Sequence, residues 1–324
     1  MKLKIWSNNE FSVSEQSDHD HFRSGIGEHD LLEFLEPANN LSESALLGLR
    51  AADVVFGSPP AERVVACDNI RWVHLNSAGY TTYDRDQIRK PLKDRKTIVT
   101  NSSFVYDEPC AQHALAMILT LTRRLPYALD SQRLDRTWPM SSLRSSSKLL
   151  NDQTVLLLGY GAIAVRLAEL LKPLRMNILA VRRRIDGSEA IRVENVGRVD
   201  ELLPMADHVV NLLPANEETK HFLNLSRLQK LKRGAIVYNI GRGSTVDQNA
   251  LLSEMESGRI AAAYLDVTDP EPLAPDHPLW TTPNCFITPH TAGGHSNEKE
   301  RQVNHFLENL RRFERDEPLV NRVI

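Results

Sequence analysis

The feature that most constrains this chain is an alternation between Thr154 and Thr288. Apolar runs at Thr154–Leu158, Asn177–Val181, His208–Leu212, Ala235–Asn239, Ala261–Val267 and Cys285–Thr288 read as six strands. Helical stretches such as Ala162–Leu171, Arg227–Leu231 and Gln248–Ser257 separate them. Strands and helices in this rhythm predict an open, doubly wound α/β sheet, which presents its ligand crevice at the strand ends. The first strand runs into Gly159-Tyr160-Gly161-Ala162-Ile163-Ala164, a tight turn that opens a helix. Gly159 permits the turn, Gly161 leaves room for a pyrophosphate, and the small Ala164 lets the helix pack on its strand, so the turn predicts a dinucleotide site with phosphates on free helix N–H groups.

The first hundred residues carry a weaker version of the same pattern. Leu3–Trp6, Ala51–Phe56, Arg71–Leu75 and Thr97–Thr100 are short apolar runs between polar helical stretches, which suggests a small parallel α/β layer. From Asp107, an acidic start, Pro109 in the first turn and Arg123-Arg124 at the end predict a helix. It is nearly apolar all round and should therefore be buried, between domains or subunits. Leu125 to Lys148, serine-rich and containing Trp138 and Pro139, reads as an irregular connector. After Gly294 a charged amphipathic helix is expected over Asn297 to Arg315.

Composition excludes several classes of function. A chain of 324 residues, 41% hydrophobic and 25% charged, can hold two packed cores. A net charge of -3 gives no global basic field, so nucleic acid and anionic membranes are not expected partners. Cys67, Cys110 and Cys285 are far apart in apolar surroundings and read as reduced core thiols, which fits a cytoplasmic protein. The N-terminus lacks the apolar core of a signal peptide, and no run is long enough for a membrane helix. Neither a metal-ligand cluster nor a GxSxG signature is present in the sequence.

Three strand ends carry side chains capable of chemistry. Arg242 lies between two glycines in Asn239-Ile-Gly-Arg-Gly-Ser244, and the flanking glycines are expected to let the backbone bend and aim the guanidinium into the crevice. An arginine there can clamp a carboxylate through two parallel hydrogen bonds. His290, in Thr288-Pro-His-Thr-Ala-Gly-Gly294, can pass a proton near neutral pH, and Glu271, in Asp266-Val-Thr-Asp-Pro-Glu-Pro-Leu273, can fix its tautomer and favour the imidazolium. Together they read as a hydride-transfer site. The acid that normally grips the ribose of NAD is replaced by Arg182-Arg183-Arg184, whose guanidinium groups would pair with a 2′-phosphate, so NADP is the expected coenzyme with NAD second. The alternative is a solvated basic turn with Asp186 reaching back to the ribose.

The order Arg242, Glu271, His290 in these contexts resembles the D-isomer-specific 2-hydroxyacid dehydrogenase family, from about Trp72 to about Gly294. The resemblance implies a Rossmann-type dinucleotide-binding domain over 103–295 and a smaller flavodoxin-like α/β substrate domain formed by 1–102 and 296–324. It implies that Arg242 holds the substrate carboxylate and carbonyl oxygen, His290 is the acid/base and Glu271 its partner. Asp266 would contact the nicotinamide amide, Pro214, Thr219 and Ile240 would line the cofactor, and the backbone at Ala78 and Gly79 would bind the substrate carboxylate. A homodimer built on the helix Cys110–Leu121 is implied, with Trp138 able to reach the neighbouring site. The chain departs from the family at Ala164, at the arginines after Val181, and at Gln112, which puts any family role for Gln112–His113 in doubt; His113 is assigned a structural role. The expected activity is reduction of a small 2-keto acid, glyoxylate or hydroxypyruvate. A nucleotide-sensing, corepressor-like interaction protein is the alternative. Glu271 disfavours formate dehydrogenase, and the end of the chain at residue 324 weighs against a feedback-regulated phosphoglycerate enzyme.

Overall fold

The computed structural model describes residues 2–37 and 39–324, which divide into two compact units, Met1–Tyr106 with Gly294–Ile324, and Asp107–Gly293. Among the described residues, twelve strands form two all-parallel sheets.

The smaller sheet contains β1 (Lys4–Ser7), β2 (Asp30–Glu33), β3 (Val54–Phe56), β4 (Trp72–His74) and β5 (Ile98–Thr100) in the order β2-β1-β3-β4-β5, the flavodoxin-like arrangement. The helix Glu298–Glu314 lays Val303, Phe306, Leu307 and Leu310 against this sheet, and Phe306 stacks on Trp72 with ring centroids 5.2 Å apart. The chain end follows: Val323 donates to the Val99 carbonyl, and Ile324 is buried.

The larger sheet contains β6 (Thr154–Leu158), β7 (Asn177–Arg182), β8 (Arg192–Asn195), β9 (His208–Asn211), β10 (Ala235–Asn239), β11 (Ile260–Leu265) and β12 (Cys285–Ile287). Their order is β12-β11-β10-β9-β6-β7-β8, so the strand order reverses beside β6, where the Rossmann arrangement binds its ligand. One face packs Leu156, Leu158, Val209, Val237 and Leu265 into a continuous core. Alternation sends Tyr238 and Tyr264 to the other face, and both are fully buried.

Four segments differ from the sequence reading. β2 and β8 were not expected: Asp-Leu-Leu-Glu and Arg-Val-Glu-Asn are polar because each forms a sheet edge with half-exposed side chains. The apolar helix spans Ser103–Thr122, so Pro109 lies in its second turn. It is not buried all round, because Ala111, Ala114, Ile118 and Leu121 are covered while Ala116 and Leu119 are exposed. The connector is also more ordered than expected: Leu125–Asp130, Ser131–Asp135 and Met140–Ser146 are short helical segments, the last entered directly from Pro139.

Candidate active site

Strand register aligns the site. Leu158 pairs with Val181 and Asn211, Asn211 with Asn239, Asn239 with Leu265, and Leu265 with Ile287. Those residues form one row across the sheet. Three positions beyond it along their chains come Gly161, Pro214, Arg242, Thr268 and His290. The carboxyl-terminal edge of one sheet therefore carries the glycine turn, the arginine and the histidine together.

At the turn, Gly159 has φ +96°, and a Cβ there would meet the Leu212 carbonyl at 3.3 Å. Gly161 has open space where a Cβ would stand. The helix Ala162–Leu171 starts without a side-chain cap, leaving its first N–H groups free for an anion, and Ala164 is fully buried against the sheet. Tyr160 is buried and Ile163 half-buried. These features fit a dinucleotide pyrophosphate. Nearby, the Thr219 hydroxyl donates to the Pro214 carbonyl at 2.6 Å and accepts from the Asn216 N–H at 2.9 Å, closing the loop after β9. Ile240 is buried behind β10.

Arg242 is positioned by close packing rather than by glycine flexibility. Neither Gly241 nor Gly243 has a positive φ, but a Cβ on Gly243 would lie 1.8 Å from the Thr268 carbonyl oxygen and one on Gly241 2.8 Å from the Leu213 carbonyl oxygen. The Arg242 carbonyl accepts from the Thr245 hydroxyl at 2.5 Å and from Asn239 Nδ2 at 3.2 Å. One guanidinium nitrogen donates to the Gly241 carbonyl at 2.7 Å, leaving other donors of the fork for a ligand.

The Glu271 carboxylate accepts from His290 Nδ1 at 2.9 Å through one oxygen and from the Thr268 N–H at 3.2 Å through the other. Because an ionised carboxylate only accepts, Nδ1 carries the proton and Nε2 is the nitrogen left for a substrate. His290 has φ +53°, a left-handed conformation that turns the chain, and its N–H donates to the Asp266 carbonyl at 2.9 Å. The Asp266 side chain is buried and accepts three bonds: Thr288 Oγ1 at 2.6 Å, the Thr291 N–H at 2.8 Å and the Ala292 N–H at 3.0 Å. It ties down the loop carrying His290, a task that the sequence reading did not give it.

The basic stretch after β7 is more internally paired than its sequence suggests. Arg182 lies 3.3 Å from Glu189, whose carboxylate also accepts from the Asp186 and Gly187 N–H groups. Asp186 folds onto Ser188 within its own turn. Arg183 meets Glu218 at 3.1 Å with both side chains exposed. Glu189 gave no sequence signal because it follows the strand by a whole turn. In the smaller unit, the carbonyls of Ala78 and Gly79 accept from Asn101 Nδ2 and Ser77 Oγ, which shapes a loop whose N–H groups at 78 and 79 bond no other described residue. No group of three or more potential metal ligands occurs among the described residues, and no described helix is long and apolar enough to cross a membrane.

Comparison with known proteins agrees with this architecture. Residues 115–292 match the family described as D-isomer specific 2-hydroxyacid dehydrogenase, NAD binding domain. The chain belongs to this family. It is 31% identical to a glyoxylate reductase of Thermofilum pendens over 255 residues, covering 77% of this chain and 74% of that protein. It is 34% identical to a mouse glyoxylate reductase/hydroxypyruvate reductase over 224 residues, covering 68% and 67%. Among solved structures, a D-isomer specific 2-hydroxyacid dehydrogenase from Xanthobacter autotrophicus in complex with NADPH and MES superposes with a TM-score of 0.82 at 24% identity, covering 100% of this chain and 98% of that one. The protein is thus an NAD(P)-dependent 2-hydroxyacid dehydrogenase, an oxidoreductase acting on a small-molecule 2-hydroxy acid.

Proposed function

We propose that this dehydrogenase reduces a small 2-keto acid of the glyoxylate or hydroxypyruvate class to the D-2-hydroxy acid, with NADPH preferred over NADH. The observation that carries the reading is the Glu271–His290 pair on the same sheet edge as Arg242 and the glycine turn. The glyoxylate reductases among the relatives support the substrate class. The dinucleotide, when bound at Gly159–Ile163, supplies the hydride. Arg242 binds the carboxylate and polarises the carbonyl oxygen. His290 Nε2 gives its proton to the carbonyl oxygen, while Glu271 holds Nδ1–H and stabilises the imidazolium. In oxidation the same nitrogen takes the proton back.

Coenzyme preference is assigned to Arg182 and Arg183, with Pro214, Thr219 and Ile240 lining the same side. Glu189 partly offsets the charge of Arg182, so the preference should be moderate, about tenfold. The unit containing the glycine turn is the cofactor domain in this reading, and the unit formed by both chain ends is the substrate domain. A homodimer is supported by the apolar side chains left exposed at Leu119, Leu125, Leu129, Leu134 and Met140, with Trp138 89% exposed. Cys67, Cys110 and Cys285 form no disulfide among the described residues, which suits the reducing cytoplasm.

A panel of 2-keto acids, each followed by NADPH and NADH oxidation at fixed salt, tests the substrate and coenzyme assignments. Highest kcat/KM on glyoxylate or hydroxypyruvate with NADPH is expected. In Arg182→Asp the NADPH preference should fall or reverse, because repulsion replaces attraction. A wild-type preference for NADH, or equal losses with both coenzymes, would refute the role of the arginines.

A further inference from the structure

We infer that Tyr264 and His113 are positioning residues for proton transfer, acting on His290 through a chain of hydrogen-bonded hydroxyls. The inference rests on the reading of His290 as the acid/base. Tyr264, fully buried on β11, bonds Thr288 Oγ1 at 2.5 Å, and its hydroxyl also meets Nε2 of His113 on the helix Ser103–Thr122. The rings of Tyr264 and His113 stack with centroids 5.6 Å apart. Thr288 in turn bonds Asp266, which also accepts from the backbone N–H groups of His290, Thr291 and Ala292.

Donor and acceptor chemistry gives this chain one direction. Thr288 donates its single hydroxyl proton to an Asp266 oxygen. Its lone pair must then accept from the Tyr264 hydroxyl, whose lone pair accepts from His113 Nε2–H. Every proton points towards Asp266, and burial holds Tyr264 in its neutral donor form. The segment Thr288–Ala292 includes a left-handed histidine backbone, a conformation that is sparsely populated unless its surroundings over-determine it. The chain supplies that determination from a helix remote in sequence. Misplacing an acid/base by a fraction of an ångström slows the proton-transfer step without removing the group.

Tyr264→Phe and Thr288→Val should each lower kcat about tenfold while leaving dinucleotide dissociation constants within about twofold. Acting on one chain, the double variant should lose no more than about twofold beyond the larger single loss. Thr288→Ser keeps the hydroxyl and should retain most of wild-type kcat. His113→Gln, which can still donate, should exceed His113→Leu, and histidine nitrogen NMR should find the proton of His113 on Nε2. Tyr264→Phe with kcat above half of wild type, multiplicative losses in the double variant, or His113 protonated only on Nδ1 would overturn the inference. His290→Asn separates the two readings. If that variant remains fully active, the acid/base assignment itself fails; if it is inactive while the Tyr264 series is silent, only the positioning chain fails.

Discussion

Glu271 uses its two oxygens for different purposes, one on the Thr268 N–H and one on His290 Nδ1, so the acid that orients the histidine is itself oriented. Replacing it by glutamine keeps the size of the side chain but removes the charge that compensates the histidine while it carries the proton to be transferred, so Glu271→Gln should lower kcat for keto-acid reduction about tenfold. Turnover equal to wild type would rule out the pairing. Gly243 makes a separate point. A methyl there overlaps the Thr268 carbonyl, backbone that cannot rotate away, so Gly243→Ala should displace Arg242 and cut kcat/KM at least tenfold by roughly the cost of a lost charge-assisted contact. Activity equal to wild type would show that the loop yields easily. At this scale the sequence named Arg242, Glu271 and His290 because each sits in a distinctive local context. It could not name Tyr264, Thr288 or Glu189, whose partners are brought close only by the fold.

Among elements, legibility followed burial. The central strands β6, β9 and β10 are buried along nearly their whole length, and their apolar residues made them readable. The edge strands β2 and β8 are polar and were invisible for the same reason. Polar groups inside central strands leave a different mark. His208 on β9 is buried, bonded to Tyr238 at 3.0 Å and Gln153 at 2.6 Å, and desolvation lowers its pKa to about 4. The unfolded chain, with an ordinary histidine, binds a proton that the folded chain refuses, so acid favours unfolding. The neutral ring's contribution is intact above about pH 6.5 and is lost as pH falls towards 4, roughly 3 kcal/mol at the end. Urea unfolding of wild type and His208→Gln at several pH values should show a shallower acid loss in the variant. Parallel curves would mean that His208 does not titrate between the two states.

For the whole molecule, the two parallel sheets have different tasks in this account, and the chain visits the first sheet again after completing the second. The alternation of apolar runs and helices made this architecture readable, whereas subunit association depends on surface that a periodic pattern cannot assign. Exposed apolar residues from Leu119 to Met140 favour a dimer. Sedimentation equilibrium at micromolar concentration should give twice the 36.6 kDa chain mass, and a monomer would contradict that reading. The central claim is that the sheet edge carries a proton donor separable from the dinucleotide site. It is tested most directly by measuring kcat for keto-acid reduction and NADPH affinity on one preparation of His290→Asn. The account predicts a loss in kcat of roughly 10²–10⁴-fold with NADPH affinity nearly unchanged. Turnover close to wild type would contradict it.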